Sequence, residues 1–187
     1  MKRILLFPGA GSASSHSSLL AIEAAVAPMP CVRADFPYRK LGRKAPDRPP
    51  VLLQAVRDEA APLLASRRDS LVLGGRSMGG RICSLAVGDA DTPLRSRGLV
   101  LICYPLHPPG KPERLRVEHF PRLDVPCLFI SGTKDTFGTP DELLEWTASI
   151  PGPVTLEWMH GKGHDLKGCD AKIATLVAAW VSRLSPS

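Results

Sequence analysis

Six short apolar runs punctuate the chain, at residues 4–7, 31–34, 71–73, 98–103, 127–130 and 154–158. They are too short for helices and mostly do not alternate with polar residues, which is how strands covered on both faces of a parallel sheet read. Between them the apolar spacing changes to three and four. Residues 17–27 carry Leu19, Leu20, Ile22 and Ala25, and residues 51–65 follow Pro49-Pro50 with Pro62 inside, where a kink is expected. Ile82, Cys83, Leu85, Ala86 and Val87 form a helix-compatible run directly after the third strand. Thr139-Pro-Asp-Glu142 has an N-cap threonine, a proline at the first helical position and a glutamate placed to close a capping box. The last helix has one buried face, Ile173, Leu176, Val177, Trp180, Val181 and Leu184, and Asp170 is its expected cap. Residues 104–125 are least regular, with one short helix expected over 112–119. Strand and helix alternate throughout, so the pattern predicts a three-layer α/β/α sandwich with about six mostly parallel strands.

At 187 residues, the expected organisation is one domain over residues 1–187. The hydrophobic share of 44% against 22% charged is that of a folded, soluble protein and argues against disorder. The net charge of +6 raises the question of a nucleic-acid partner. The local basic segment Arg33, Arg39, Lys40, Arg43, Lys44 and Arg48 has no interleaved stacking aromatics, and no zinc or helix-turn-helix spacing accompanies it, so none is expected. Five scattered cysteines, Cys31, Cys83, Cys103, Cys127 and Cys169, include no C-x-x-C pair; four of them sit in apolar surroundings and read as small buried hydrophobes, so a reducing, cytoplasmic compartment is expected. The apolar start of the chain stops at Pro8-Gly9, too short for a signal core, and no stretch approaches a membrane span.

The chemistry is suggested by Gly75-Arg-Ser-Met-Gly79, the G-x-S-x-G spacing of a nucleophile elbow, set between an apolar strand and a helix. There the strand turns so sharply that Ser77 is held in strained geometry with its hydroxyl exposed, and Gly75 and Gly79 are needed because strand, helix and loop crowd together. A serine hydroxyl needs a base within reach and an acid to fix that base's tautomer. Asp135, in Ser131-Gly-Thr-Lys-Asp135, follows the fifth strand, and His164, in His160-Gly-Lys-Gly-His-Asp165, follows the sixth. Loops after parallel strands share one sheet edge, so Ser77, Asp135 and His164 are expected to converge, with the adjacent Asp165 a competitor for the acid's role. The expected oxyanion donors are the backbone N–H groups of Met78 and Ala10. A dinucleotide loop is the other reading of Pro8-Gly-Ala-Gly11, but the full G-x-G-x-x-G is absent and only Asp35 could serve as its acid. No H-E-x-x-H or ligand cluster occurs, and neither a metal nor another cofactor is expected.

With these residues in place, the chain resembles the α/β-hydrolases. More narrowly it resembles the small lidless group related to dienelactone hydrolases, whose domain also occurs in testis-expressed protein thirty and in the third subunit of the NSL histone-acetyltransferase complex. The likeness is carried by Gly9-Ala-Gly11, Asp35-Phe-Pro-Tyr-Arg39, Gly75-Arg-Ser-Met-Gly-Gly80, Tyr104-Pro-Leu-His-Pro-Pro-Gly-Lys111, Ser131-Gly-Thr-Lys-Asp135 and Gly163-His164. It implies a minimal fold without a cap domain and hydrolysis of a carboxylic ester or thioester of a small molecule through an acyl-enzyme. Two departures stand out: Pro8 replaces a frequent histidine, and dienelactone hydrolases proper use a cysteine nucleophile where this chain has Ser77. Members in larger eukaryotic complexes are not clearly enzymes, so a non-catalytic binding or scaffold module with a vestigial triad is the second reading.

Gly11, Arg39, Tyr104 and His107 are the candidate substrate contacts. Tyr104 and His107 follow the strand beside the elbow and are expected to line the cleft. The basic run 39–48 should lie two strand spacings, about 10 Å, from Ser77. Facing the cleft it would favour an anionic substrate; facing outward it is a solvated loop. His16 and His119 have no assigned role.

Overall fold

A computed structural model describes residues 1–184. Its centre is a sheet of six parallel strands: β1 (Lys2–Phe7), β2 (Cys31–Arg33), β3 (Ser70–Arg76), β4 (Gly98–Ile102), β5 (Cys127–Gly132) and β6 (Val154–Met159). They lie in the order β2-β1-β3-β4-β5-β6. Helices cover both faces, which is the expected three-layer sandwich: α1 (Ser17–Val26), α2 (Pro37–Lys40), α3 (Pro49–Ala60), α4 (Met78–Val87), α5 (Pro140–Thr147) and α6 (Asp170–Arg183).

Each central strand feeds two cores because its successive side chains point to opposite faces. Leu5, Phe7, Leu71, Leu73, Leu99, Leu101 and Phe129 pack with Leu52 and Val56 of α3 and Ile82, Cys83 and Ala86 of α4. Ile4, Leu6, Val72, Val100, Ile102, Leu128 and Ile130 pack with Leu19 and Ile22 of α1 and Ile173, Val177 and Trp180 of α6. This division explains why the runs read as continuously apolar. The edge strand β6 is only partly buried along most of its length.

The sheet order reverses between β1 and β3, since β1 leads outward to β2 while β3 leads the other way through β4 to β6. The loops leaving such neighbours diverge and open a crevice at their C-terminal ends. At this crevice the elbow is packed as its glycines require. A Cβ on either Gly75 or Gly79 would collide with the backbone of Phe7, so no side chain fits at either position.

Three local expectations are corrected. Residues 112–119 form no helix; after turns closed by Lys111 N–H to Pro108 and Arg114 N–H to Lys111, the chain descends to bury Val117 and Phe120. Burial of Phe120 against Tyr104 (5.3 Å between ring centres) and Phe129 (6.1 Å) outweighs local helix preference, leaving only a 3-10 turn at Phe120–Arg122. The cap of α6 is Cys169, because the Cys169 N–H to Leu166 carbonyl turn (3.0 Å) delivers the chain into helical geometry one residue early. Asp170 thus occupies the first helical position, where its charge suits the helix dipole. Near Pro62 the helix does not simply kink but tightens into a 3-10 turn, Ala61–Leu64. The capping box of α5 forms as read, with Thr139 N–H donating to Glu142 Oε2 at 2.8 Å and Thr139 Oγ1 accepting from Glu142 N–H at 3.3 Å. No helix of the described residues is long and apolar enough to cross a membrane.

Candidate active site

Ser77 sits between β3 and α4 with φ 49° and ψ −117°. The Ser77 N–H donates to the Ile102 carbonyl at 2.7 Å, which ties this strained turn to β4. Such conformations cost about 1–3 kcal/mol and persist only where the surroundings hold them. The other non-glycine residues with positive φ among those described, Cys103 and Leu166, also follow sheet strands, β4 and β6, in the same set of loops.

Three loops meet here. His164 Nε2 is 2.8 Å from Ser77 Oγ, and His164 Nδ1 is 2.8 Å and 3.0 Å from the two carboxylate oxygens of Asp135. With acceptors at Nδ1, that nitrogen carries the proton and Nε2 keeps a lone pair facing the hydroxyl. The Asp135 side chain is 1% exposed, and its Oδ1 also accepts the Phe137 N–H at 2.9 Å. The competitor is turned away: among the described residues the Asp165 carboxylate accepts only the nearby Lys167 N–H, at 3.3 Å.

Two supporting residues carried no signal that their role could be read from. Arg76, buried just before Ser77, donates through Nη2 to the carbonyls of His164 and Asp165, so one side chain couples the serine strand to the histidine loop. The Phe137 ring stacks on the His164 imidazole at 4.0 Å with 26° between planes, limiting its rotation.

Ala10 and Met78 border the same cleft as Ser77. The amide of Met78 is the first orphan donor of α4, and neither it nor the amide of Ala10 donates to a protein acceptor among the described residues. The β1 loop lies against the nucleophile, since a Cβ on Gly9 would stand 3.5 Å from Ser77 Cβ. Tyr38 supports this loop by donating its hydroxyl to the Ala10 carbonyl at 2.7 Å. Asp35, the acid a dinucleotide loop would need, is instead engaged by Ser14, accepting its N–H at 2.7 Å and its hydroxyl at 2.8 Å.

The cleft measures about 320 Å³ and is walled by Pro46, Leu52, Arg81, Pro105, Arg116 and Phe137 besides Ala10, Ser77 and Met78. None of the four expected substrate contacts is part of this wall. Tyr104 is buried and donates its hydroxyl to the Arg116 carbonyl at 2.7 Å, pinning a wall segment from behind. His107 is buried toward α5, its Nδ1–H donating to the Pro108 carbonyl at 2.8 Å and its Nε2 3.2 Å from Glu142 Oε1. Gly11 is exposed on the outside of its loop, and Arg39 lies on α2 away from the cleft. Within the basic run, Lys40 pairs with Glu59 and Arg43 with Asp47, each at 2.7 Å; only Pro46 and Asp47 of that run reach the cleft. The run is therefore a largely solvated loop. A larger apolar groove of about 620 Å³ lies at the opposite end of the sheet, against Met1, Val26, Pro28 and Val181, away from the serine–histidine pair.

Single ligand atoms of Cys103, Asp135 and His164 lie within 4.8 Å of one another, a spacing that could hold a metal ion. Burial, with a further contribution from Asp135, pushes the Cys103 thiol up to about 12. It therefore stays protonated, while His164 bonds Asp135 on one side and Ser77 on the other, so Asp135 and His164 fit a hydrogen-bonded relay with Ser77 better than a ligand set with Cys103.

His16 and His119 have structural roles. His16 caps α1 through Nδ1, accepting from Ser18 N–H at 3.2 Å. His119 Nε2 meets Ser84 Oγ at 2.8 Å, and burial, then Arg122 and Arg81, hold its pKa down at about 3. Above pH 6.5 it is neutral in both folded and unfolded chains and pH-independent. As pH falls from 6.5 toward 3 the unfolded chain takes up a proton the folded one refuses, so stability drops by up to about 1.4 kcal/mol per pH unit. Urea midpoints at pH 7.5 and 5.5 should differ more for the wild type than for His119→Gln; equal differences would show that His119 is not the group responsible.

Residues 1–183 match the family model of the alpha/beta hydrolase domain. Among solved structures, a protein of the alpha/beta hydrolase superfamily from Xanthomonas campestris pv. campestris superposes with TM-score 0.73 at 19% identity, covering 97% of this chain and 99% of that one. Est1E from Butyrivibrio proteoclasticus, with ferulic acid bound, gives 0.74 at 11% identity over 98% and 89%. The RedJ thioesterase of the prodiginine pathway in Streptomyces coelicolor gives 0.68 at 19% identity over 94% and 84%. At these identities the structural likeness is one of fold.

Proposed function

The chain belongs to the alpha/beta hydrolase family, and on that premise we propose that it is a serine hydrolase cleaving a carboxylic ester or thioester of a small molecule through an acyl-enzyme. The observation that carries this reading is the pair of contacts made by one imidazole, 2.8 Å from the Ser77 hydroxyl on one side and 2.8 Å from the Asp135 carboxylate on the other. Ser77 Oγ attacks the acyl carbon and gives its proton to His164 Nε2. Asp135 holds the imidazole's orientation and stabilises the imidazolium. The oxyanion forms beside the free N–H groups of Met78 and Ala10, and its collapse expels the alcohol or thiol, which takes the proton from Nε2. Water then repeats the sequence on the acyl-enzyme, releasing the acid and restoring Ser77.

The lidless, dienelactone-hydrolase-related group is the subgroup we favour. Its motif stretches occur in order along the chain, and the cleft is walled by short loops and by α3 and α4. The free thiols favour a cytoplasmic location. A scaffold with a vestigial triad would be favoured by a separated serine and histidine or a cleft filled by residues 104–125. Here the pair is within hydrogen-bond reach, and that segment forms a wall of an open cleft.

A fluorophosphonate probe is expected to label the wild type and not Ser77→Ala, read by intact-protein mass spectrometry; a folded wild type that remains unlabelled would overturn the reading. Tyr38→Phe tests the oxyanion loop. It removes the hydroxyl that fixes the Ala10 carbonyl and should cost about 1 kcal/mol of stability. Loss of alignment of one donor should lower kcat by about tenfold with little change in KM. An unchanged kcat would detach the β1 loop from the chemistry.

A further inference from the structure

We propose that the guanidinium groups of Arg81 and Arg116 form a subsite for an oxyanion, carboxylate or phosphate, carried by the substrate that Ser77 attacks. The proposal rests on the hydrolase reading and adds to it the charge class of the substrate.

Both arginines are half-buried wall residues of the cleft that holds Ser77, and they arrive from different parts of the fold. Arg81 is in the first turn of α4, one turn beyond the nucleophile. Arg116 is on the segment that Tyr104 pins from behind through the Arg116 carbonyl. Neither guanidinium makes a hydrogen bond or ion pair among the described residues. Buried and half-buried arginines elsewhere are engaged, Arg3 with Asp69, Arg33 with Glu23, Arg57 with Asp89 and Arg76 with the His164 loop; the other guanidinium groups without a partner among the described residues are exposed or, for Arg39, outside the cleft.

This arrangement works against the stability of the free protein in three ways. Partial burial removes water from Arg116, and together with the neighbouring Arg81 it pulls that guanidinium below its ordinary pKa. Two like charges therefore share one cleft without a carboxylate between them. Arg81 also stands in the first turn of α4, where the helix dipole disfavours a cation. Asp47 is the acid on the cleft wall, but its Oδ1 is held by Arg43 at 2.7 Å, and its Oδ2 is buried without a protein hydrogen bond among the described residues. The walls keep a net positive charge, and cations left unpaired beside a nucleophile are what recognition of an anion requires.

The rest of the wall narrows the ligand further. Ala10, Leu52, Met78, Pro105 and Phe137 are apolar, and about 320 Å³ is at the small end of ligand pockets. The fitting substrate is a short acyl chain, activated at one end and anionic at the other. It is the cleft arginines, rather than the basic run at 39–48, that would select it.

The test compares p-nitrophenyl butyrate with mono-p-nitrophenyl glutarate. The wild type should favour the carboxylated ester in kcat/KM by about tenfold or more, and this ratio should fall by about tenfold in Arg81→Gln and in Arg116→Gln, each checked for folding by circular dichroism. Arg116→Glu should shift preference toward the ester of 4-aminobutyrate. Calorimetry with glutarate and with inorganic phosphate reads the same subsite without hydrolysis and separates the two anion types. Binding of either should persist in Ser77→Ala and weaken about tenfold in the arginine variants. Fluorophosphonate labelling of Ser77 with no preference between the esters would overturn the subsite and leave the hydrolase reading standing. Absent labelling with arginine-dependent anion binding would overturn the hydrolase reading alone. Failure of both anions to bind at millimolar concentration would overturn the subsite whatever the esters do.

Discussion

Ser77→Ala is expected to reduce kcat on an activated ester by about 10⁴- to 10⁶-fold while leaving a folded protein with nearly the wild-type melting temperature. On the proposed mechanism the size follows from removing the hydroxyl that forms the acyl-enzyme, the residual rate coming from oxyanion stabilisation and binding. The unchanged melting temperature follows from the backbone. Alanine at φ 49° bears the same strain as serine, and the Ser77 N–H to Ile102 carbonyl bond of 2.7 Å survives the substitution. Ser77→Gly sharpens the test. It should be equally inactive but about 1 kcal/mol more stable than Ser77→Ala, because glycine reaches this conformation without a Cβ penalty. A kcat within tenfold of wild type for either variant would remove Ser77 from the chemistry, and equal stabilities would remove the strain.

The second large effect is expected at Asp135. Asp135→Asn keeps the shape of the side chain but can present N–H groups to His164 Nδ1, where the carboxylate now stands at 2.8 and 3.0 Å. The proton then moves to Nε2, the nitrogen facing Ser77 at 2.8 Å, and the base has no lone pair for the hydroxyl. A loss of about 10⁴-fold in kcat is expected from the wrong tautomer alone. The Asp135 side chain is 1% exposed, so water cannot restore the lost orientation. Asp165→Asn is the matching control. Its carboxylate touches only the Lys167 amide, and its backbone carbonyl, the atom that Arg76 holds, is retained, so kcat should change by less than about twofold. Reversed results for the two acids would transfer the role to Asp165.

The layers of this fold were legible because they depend on which residues avoid water. Runs such as Leu99-Val-Leu-Ile102 are apolar at every position since their alternate side chains enter two separate cores, and that pattern survives in the linear chain. The elbow was legible because its G-x-S-x-G spacing is contiguous in the chain, although the crowding that excludes a Cβ at Gly75 and Gly79 comes from the distant Phe7 backbone. The short strap after β4 was not legible. Local propensity over residues 112–119 pointed to a helix, but the aromatic contacts of Phe120 are made with residues distant in sequence. Tyr104 and His107 were correctly placed on the loop after β4 yet point away from the cleft, into hydrogen bonds with Arg116, Pro108 and the vicinity of Glu142.

The sequence by itself determined the sheet, the tight turn at Ser77 and the presence of a histidine and an acid on later loops of the same edge, because burial and backbone sterics act residue by residue and leave periodic or local marks. Only the tertiary structure decided which acid meets His164, which backbone amides stay free and which two arginines share the cleft. Those are matters of side-chain direction between segments up to 87 residues apart, as Ser77 and His164 are, and that direction is set by packing between elements rather than by any spacing along the chain.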